Sequence, residues 1–160
     1  MSSGNPVYAE DGAQFHAYTT QTRPYTVGTK MIFDDGREFR FVLAGASALV
    51  AGTLYQSPIP SNSSGLAVAT VAVGETVFSV TFGGAVTLDQ YAEGYLWTDV
   101  SGVLLGGTYK IKSHPAGTTV NVTLHSPLIT AIAASDTVSA VMNPWQSVII
   151  AAAGPTALVV

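Results

Sequence analysis

The chain has 160 residues, enough for one domain with a real core, and its net charge of −4 shows none of the basic excess expected of a nucleic-acid binder. Apolar residues make up 48% and charged residues only 10%, against about 25% in ordinary soluble domains. There is no cysteine, which excludes disulfides and thiolate metal sites.

Residues 1 to 30 carry Pro6, Tyr8, Phe15, Tyr18, Pro24 and Tyr25 without a sustained period. The start, Met1 to Asn5, has neither a basic nor an apolar stretch, so no signal peptide is expected. A disordered tail would be poor in aromatics. The segment therefore reads as an extended arm that lays Tyr8, Phe15, Tyr18 and Tyr25 on a partner, or else as a first strand pair of the same domain. The β-rich domain is expected over 31–160.

From Arg37 the pattern is strand-like, with Phe39, Phe41 and Leu43 alternating with Arg40, Val42 and Ala44. Ala44 to Gly52 is small and bounded by glycine, which suggests a tight connection or one helical turn before a strand over Thr53–Gln56. Ser57 to Gly65 is rich in Pro, Ser and Asn and reads as a loop. Val68–Val73 and Thr76–Phe82 read as strands joined by a hairpin turn at Gly74-Glu75. Gly83-Gly84 is expected to end the second of them.

Further strands are expected at Tyr95–Thr98 and Thr108–Ser113. Ser101-Gly102 and the run His114 to Gly117 read as turns. Val120, Val122 and Leu124 alternate cleanly with Asn121, Thr123 and His125, and Pro127 ends that run. Thr137–Met142 and Gln146–Ala151, divided by Asn143-Pro144, complete a series of short strands that reads as an all-β sandwich or barrel. Phe39, Phe41, Phe78, Val80, Phe82, Val120, Val122 and Leu124 are the expected core, because period-two spacing puts each set on one strand face.

The residues suggest little chemistry. His16, His114 and His125 lack metal-ligand spacing and read as structural or solvent-facing. No Gly-x-Ser-x-Gly elbow supports a hydrolytic triad. Glu10-Asp11 and Asp34-Asp35 are adjacent residues, which on a strand point to opposite faces and cannot converge as a catalytic dyad. Asp34-Asp35-Gly36 lacks the other oxygen ligands of a calcium loop and reads as a turn. The pairs Gly83-Gly84 and Gly106-Gly107 lack the Lys-Ser/Thr of a phosphate loop. Asn62-Ser63-Ser64 and Asn121-Val122-Thr123 match the glycan acceptor pattern by chance in a chain rich in Ser and Thr. Trp97 with Tyr95 and Tyr109 offers a sugar platform on paper, though large aromatics in half-buried strands are usually core. No enzyme activity, cofactor or metal is expected.

Charge distribution says more. Nine of the sixteen charged residues fall in the first forty positions, and after Lys112 only Asp136 is charged. A soluble monomer normally carries charge over all its surface. A chain that omits it is expected to bury that surface against other subunits. The apolar runs Phe41–Leu54 and Val148–Val160 are broken by Gly or Pro and fall short of the about twenty residues a membrane span needs.

The runs Gly36-Arg37-Glu38-Phe39-Arg40-Phe41-Val42-Leu43-Ala44-Gly45 and Ala48-Leu49-Val50-Ala51-Gly52-Thr53-Leu54-Tyr55 resemble capsid decoration (cement) proteins of tailed bacteriophages. Gln90 to Trp97 and Gly107 to Pro115 are similar to segments of phage structural proteins. The likeness spans about residues 36–150. It implies a β-rich, non-enzymatic virion protein, a homotrimer on the capsid surface, assembled in the host cytoplasm and bound to the major capsid protein of the shell. Neither nucleic acid nor membrane is an expected partner. The alternatives are another virion part (tail, fibre or minor capsid component) or a β-sandwich carbohydrate-binding module, the latter requiring an exposed aromatic cluster around Trp97 or Trp145. A hydrolase comes last.

Overall fold

A computed structural model of the protein describes residues 5–16, 25–58, 63–99 and 107–151. The chain forms two compact units, one of Met1–Ile59 with Pro144–Val160, the other of Pro60–Asn143. Among the described residues the strands, in chain order, are β1 Val7–Tyr8, β2 Lys30–Ile32, β3 Glu38–Arg40, β4 Tyr55–Gln56, β5 Ser63–Val68, β6 Val77–Val86, β7 Tyr95–Asp99, β8 Thr108–Ser113, β9 Gly117–Leu124, β10 Thr137–Val141 and β11 Ile149–Ile150. A 3-10 turn at Ala13–Phe15 is the sole helical element there. The fold is all-β.

The second unit is a closed barrel in the order β10-β5-β6-β9-β8-β7, with every pair antiparallel. Closure comes from β10, which pairs with β5 on one side and β7 on the other, so the ring has no open sheet edge. Strand alternation explains the interior. Phe78, Val80 and Phe82 on β6 point inward, and so do Val120, Val122 and Leu124 on β9. The register sets Phe78 opposite Val122 and Val80 opposite Val120, so cross-strand neighbours meet on the buried face. Tyr109 and Ile111 from β8, Leu96 from β7 and Val138 from β10 fill the rest, with Leu128 and Ile132 from the connection before β10. Each such side chain contributes about 1.5–3 kcal/mol by leaving water.

Several expectations need correction. β6 does not stop at Gly83-Gly84 but runs on to Val86. Its register against β9 shifts between Thr81 and Val86, so the glycines lie within a bulged stretch rather than at a strand end. The expected hairpin at Gly74-Glu75 is a longer connection from β5 to β6. Gly74 takes a positive φ of 92° there, and Val71 bridges to Ile132 instead of extending β5. Ser63, Ser64 and Gly65 belong to β5, not to the preceding loop. The turn expected at Ser101-Gly102 lies outside the described residues.

The first unit holds two small sheets. In one, β1 pairs parallel with β2, and β2 pairs antiparallel with β3. The β2–β3 turn is the one expected of Asp34-Asp35-Gly36: the Gly36 N–H donates to the Phe33 carbonyl at 2.9 Å, with Gly36 at φ 83°. In the other, β4 pairs antiparallel with β11. Ala44 forms a parallel bridge to Val148, and Ala44–Gly52 contains bends and a turn but no helical turn. Phe39 and Phe41 are in this unit and outside the barrel core: Phe39 is 38% exposed and meets Phe33 edge to face, while Phe41 is half-buried. The strand reading holds for Phe39, on β3, whereas Phe41 and Leu43 lie past the end of that strand.

Candidate interaction surfaces

The histidines have structural surroundings. His114 is buried; its Nε2 accepts the Tyr91 N–H at 3.0 Å, and Nδ1 donates to the Pro115 carbonyl at 2.8 Å. Both bonds are satisfied by the neutral ring protonated at Nδ1. The His114 N–H in turn donates to Asp89 Oδ1 at 3.0 Å. His125 lies near Glu93, whose carboxylate also receives Lys110: Nε2 to Oε1 is 3.1 Å and Nζ to Oε2 is 2.6 Å. The Asn143 amide donates to the Glu93 carbonyl at 3.0 Å. Glu93 holds a left-handed φ of 61°, so these contacts fix a strained turn ahead of β7. Among the described residues no three His, Asp or Glu side chains cluster as metal ligands do.

Buried polar groups in the barrel are likewise bonded. The Asp136 carboxylate accepts the Ala133 N–H at 2.8 Å, and Ser139 Oγ donates to Asp99 Oδ2 at 2.8 Å. Acidic pairs do not converge. Asp35 turns onto Arg37, with Nε at 2.6 Å, and Asp11 meets the same guanidinium at 2.8 Å. The Asp11 carboxyl is held below its ordinary range chiefly by the hydrogen bond from the Arg37 side chain. Asp35 is lowered chiefly by the Arg37 backbone N–H and then by its side chain, and the Arg37 guanidinium is raised by both carboxylates.

The four proposed arm contacts have different surroundings. Tyr8 on β1 and Phe15 in the 3-10 turn are both largely exposed. Tyr25 packs edge to face on Phe41, with ring centroids 6.0 Å apart. Tyr18 lies outside the described residues. Tyr8 and Phe15 thus present rings to solvent, whereas Tyr25 is tied to the chain's own sheet.

On the barrel the three aromatics of the paper sugar platform separate. Tyr109 points inward, and its hydroxyl accepts the Ile129 N–H at 3.1 Å. Tyr95 and Trp97 stand two apart on β7, on the outer face, 45% and 38% exposed. Lys110 is opposite Tyr95 in the register, and Thr108 is opposite Trp97.

The first unit carries a second exposed apolar surface. Leu49, Val50, Leu54, Ile149 and Ile150 are exposed on and beside the β4–β11 ribbon. A groove of about 140 Å³ opens next to it, lined by Val42, Leu49, Tyr55, Pro144, Trp145 and Val148, with Gln56 at its wall. Arg40 lies over the Trp145 ring at 5.8 Å. Gln56 Oε1 is buried and has no hydrogen-bond partner, although nearly all buried polar groups find one. Sequence reasoning missed Gln56 and Glu93 because nothing local marks either. The lack of charge after Lys112, apart from Asp136, did mark the β11 side of the ribbon.

No family model, curated protein or solved structure matches the chain.

Proposed function

We propose that the protein is a structural subunit of a virion, a head decoration (cement) protein that binds the major capsid protein of the shell as a homotrimer. One observation carries this reading: two segments without any charged residue, 41–58 and 144–151, meet in an exposed apolar ribbon of two strands. A two-stranded sheet is marginal in water unless something packs on it, and an exposed apolar patch rimmed by polar residues marks a partner surface. Decoration of a shell suits such a surface, since many modest contacts act together and few charges must be desolvated. The sequence likeness to phage decoration proteins supplies the virion context. The test is co-sedimentation with empty expanded shells of the source. Saturable binding supports the reading, and absence of binding at micromolar protein sinks it.

A second reading is a carbohydrate-binding module, and Tyr95 with Trp97 on the outer barrel face favours it. Exposed rings in line on one strand stack on sugar faces, and Lys110 and Glu93 near Tyr95 offer hydrogen bonds to hydroxyls. Binding to a glycan panel that is lost in Trp97→Ala would favour this reading over the first.

A further inference from the structure

Resting on the carbohydrate reading above, we infer that the outer face of β7 and β8 takes an extended acidic oligosaccharide, with one sugar ring on Trp97 and a carboxylate-bearing ring on Tyr95 towards Lys112. Charge singles out this face. The barrel unit holds five acids, Glu75, Asp89, Glu93, Asp99 and Asp136, but its only Lys or Arg residues are Lys110 and Lys112. Both stand on β8 at positions that alternate with the buried Tyr109 and Ile111, so both face outward. β8 pairs with β7, which carries Tyr95 and Trp97, the two exposed rings of the described barrel residues. Lys110 is neutralised by Glu93 at 2.6 Å, and His125 meets the same carboxylate at 3.1 Å. Lys112 is exposed and joins no ion pair among the described residues. At the other end of β7, on the same face as Trp97, Asp99 accepts the Ser139 hydroxyl at 2.8 Å. The row therefore runs from a carboxylate beyond Trp97 to an unpaired cation beyond Tyr95. An acidic sugar is attracted to the second end and repelled from the first.

The surroundings of the rings favour a sugar over a protein or a nucleic acid. Residues two apart on a strand are roughly 6.8 Å apart, so linked pyranose rings reach both aromatics. Across from Trp97 stand Thr108 on β8 and Ser139 on β10; across from Tyr95 stand Lys110 and Val141. Three of these four neighbours are polar, which suits the hydroxyls at the rim of a stacked sugar. A protein hot spot instead seats its rings in a fully desolvated pocket. Single-stranded nucleic acid also stacks on rings, but it needs a basic groove along its phosphates. One unpaired lysine in a unit with an excess of acids does not supply that groove.

The experiment titrates the full chain calorimetrically with four probes. They are a hyaluronan tetrasaccharide (alternating uronate and N-acetylhexosamine), chitotetraose (an amino sugar without carboxylate), a thymidine oligonucleotide and a poly-glutamate peptide. The acidic tetrasaccharide is expected to bind about two- to fivefold more tightly than chitotetraose at low salt. That preference should vanish in about 1 M salt. Trp97→Ala should weaken both sugars by about tenfold. Lys112→Gln should abolish the acidic preference and leave chitotetraose binding unchanged. Both side chains are exposed, and circular dichroism confirms that each variant folds. Equal binding of the two sugars in wild type overturns the inference and leaves the carbohydrate reading standing, as does a preference that survives Lys112→Gln. Absence of binding by either sugar at millimolar concentration defeats both. Tighter binding of the oligonucleotide or the poly-glutamate peptide than of either sugar overturns the inference in favour of a nucleic acid or an acidic protein partner.

Discussion

His114 Nε2 accepts the main-chain N–H of Tyr91 at 3.0 Å inside the barrel unit, and the two rings lie 6.0 Å apart with Phe82 beside both. The turn that precedes β7 is thereby tied to the end of β8. His114→Leu keeps bulk but leaves the Tyr91 N–H without its acceptor. The expected loss is about 1–3 kcal/mol, the cost of a buried donor left unpaired. Urea unfolding measures it, and an unchanged midpoint would show that water or a rearranged turn replaces the bond.

Phe78→Ala and Phe39→Ala separate the two units' packing. Phe78 is buried opposite Val122 and should cost about 3–5 kcal/mol. Phe39 is 38% exposed and meets Phe33 edge to face, so its loss forfeits only part of a ring's burial and should cost less, on the order of 1–2 kcal/mol. Equal losses in chemical denaturation would contradict the placement of Phe39 outside the barrel interior.

Gly94→Ala tests a close backbone approach. A Cβ there would collide with the Val141 carbonyl oxygen and stand 2.9 Å from the Tyr91 carbonyl oxygen, both of them main-chain atoms that cannot swing away. Overpacking of this kind costs about 1–3 kcal/mol, and the rigidity of β10 puts the expected loss at the upper end. A thermal midpoint equal to wild type would show that the β7 entrance yields easily.

A double-mutant cycle on Glu93 and Lys110 measures their ion pair. The 2.6 Å contact is only partly exposed, with Glu93 at 12% and Lys110 at 27%, so a coupling on the order of 1 kcal/mol is expected, the upper range for exposed pairs. High salt should reduce it. Zero coupling would mean that the Lys110 contact does not contribute to holding Glu93.

The pH dependence of the first unit should follow Asp11 and Asp35. Both carboxyls are lowered in the folded state from the ordinary 3.8, so the folded state holds fewer protons than the unfolded one across that window. Their stabilisation is present above 3.8 and is lost as pH falls through the lower folded values. Carboxyl carbon NMR titration of wild type and Arg37→Gln checks this. Both titrations should move upward in the variant, and curves that coincide would show that Arg37 does not hold the carboxylates.

Inner and outer faces of the barrel strands were legible in the sequence, because side-chain alternation is a local property of extended backbone. Phe78, Val80, Phe82, Val120, Val122 and Leu124 needed only period two to be placed in the core, and Asp34-Asp35-Gly36 needed only its own turn chemistry. The concentration of charge before Arg40 was equally plain. Tertiary structure decided whatever depends on a partner distant in the chain. Phe39 has the same alternation as Phe78, yet it stands on an edge strand of a small three-stranded sheet instead of inside a closed barrel. Tyr95 and Trp97 went outward and Tyr109 inward because the β7–β8 register set the faces. The hairpin expected at Gly74-Glu75 lengthened because Val71, past the end of β5, bridges Ile132, ahead of the neighbouring β10. Gln56 looked like any strand glutamine until the fold enclosed its carbonyl oxygen beside Trp145, since burial and hydrogen-bond satisfaction are set by neighbours and not by spacing along the chain.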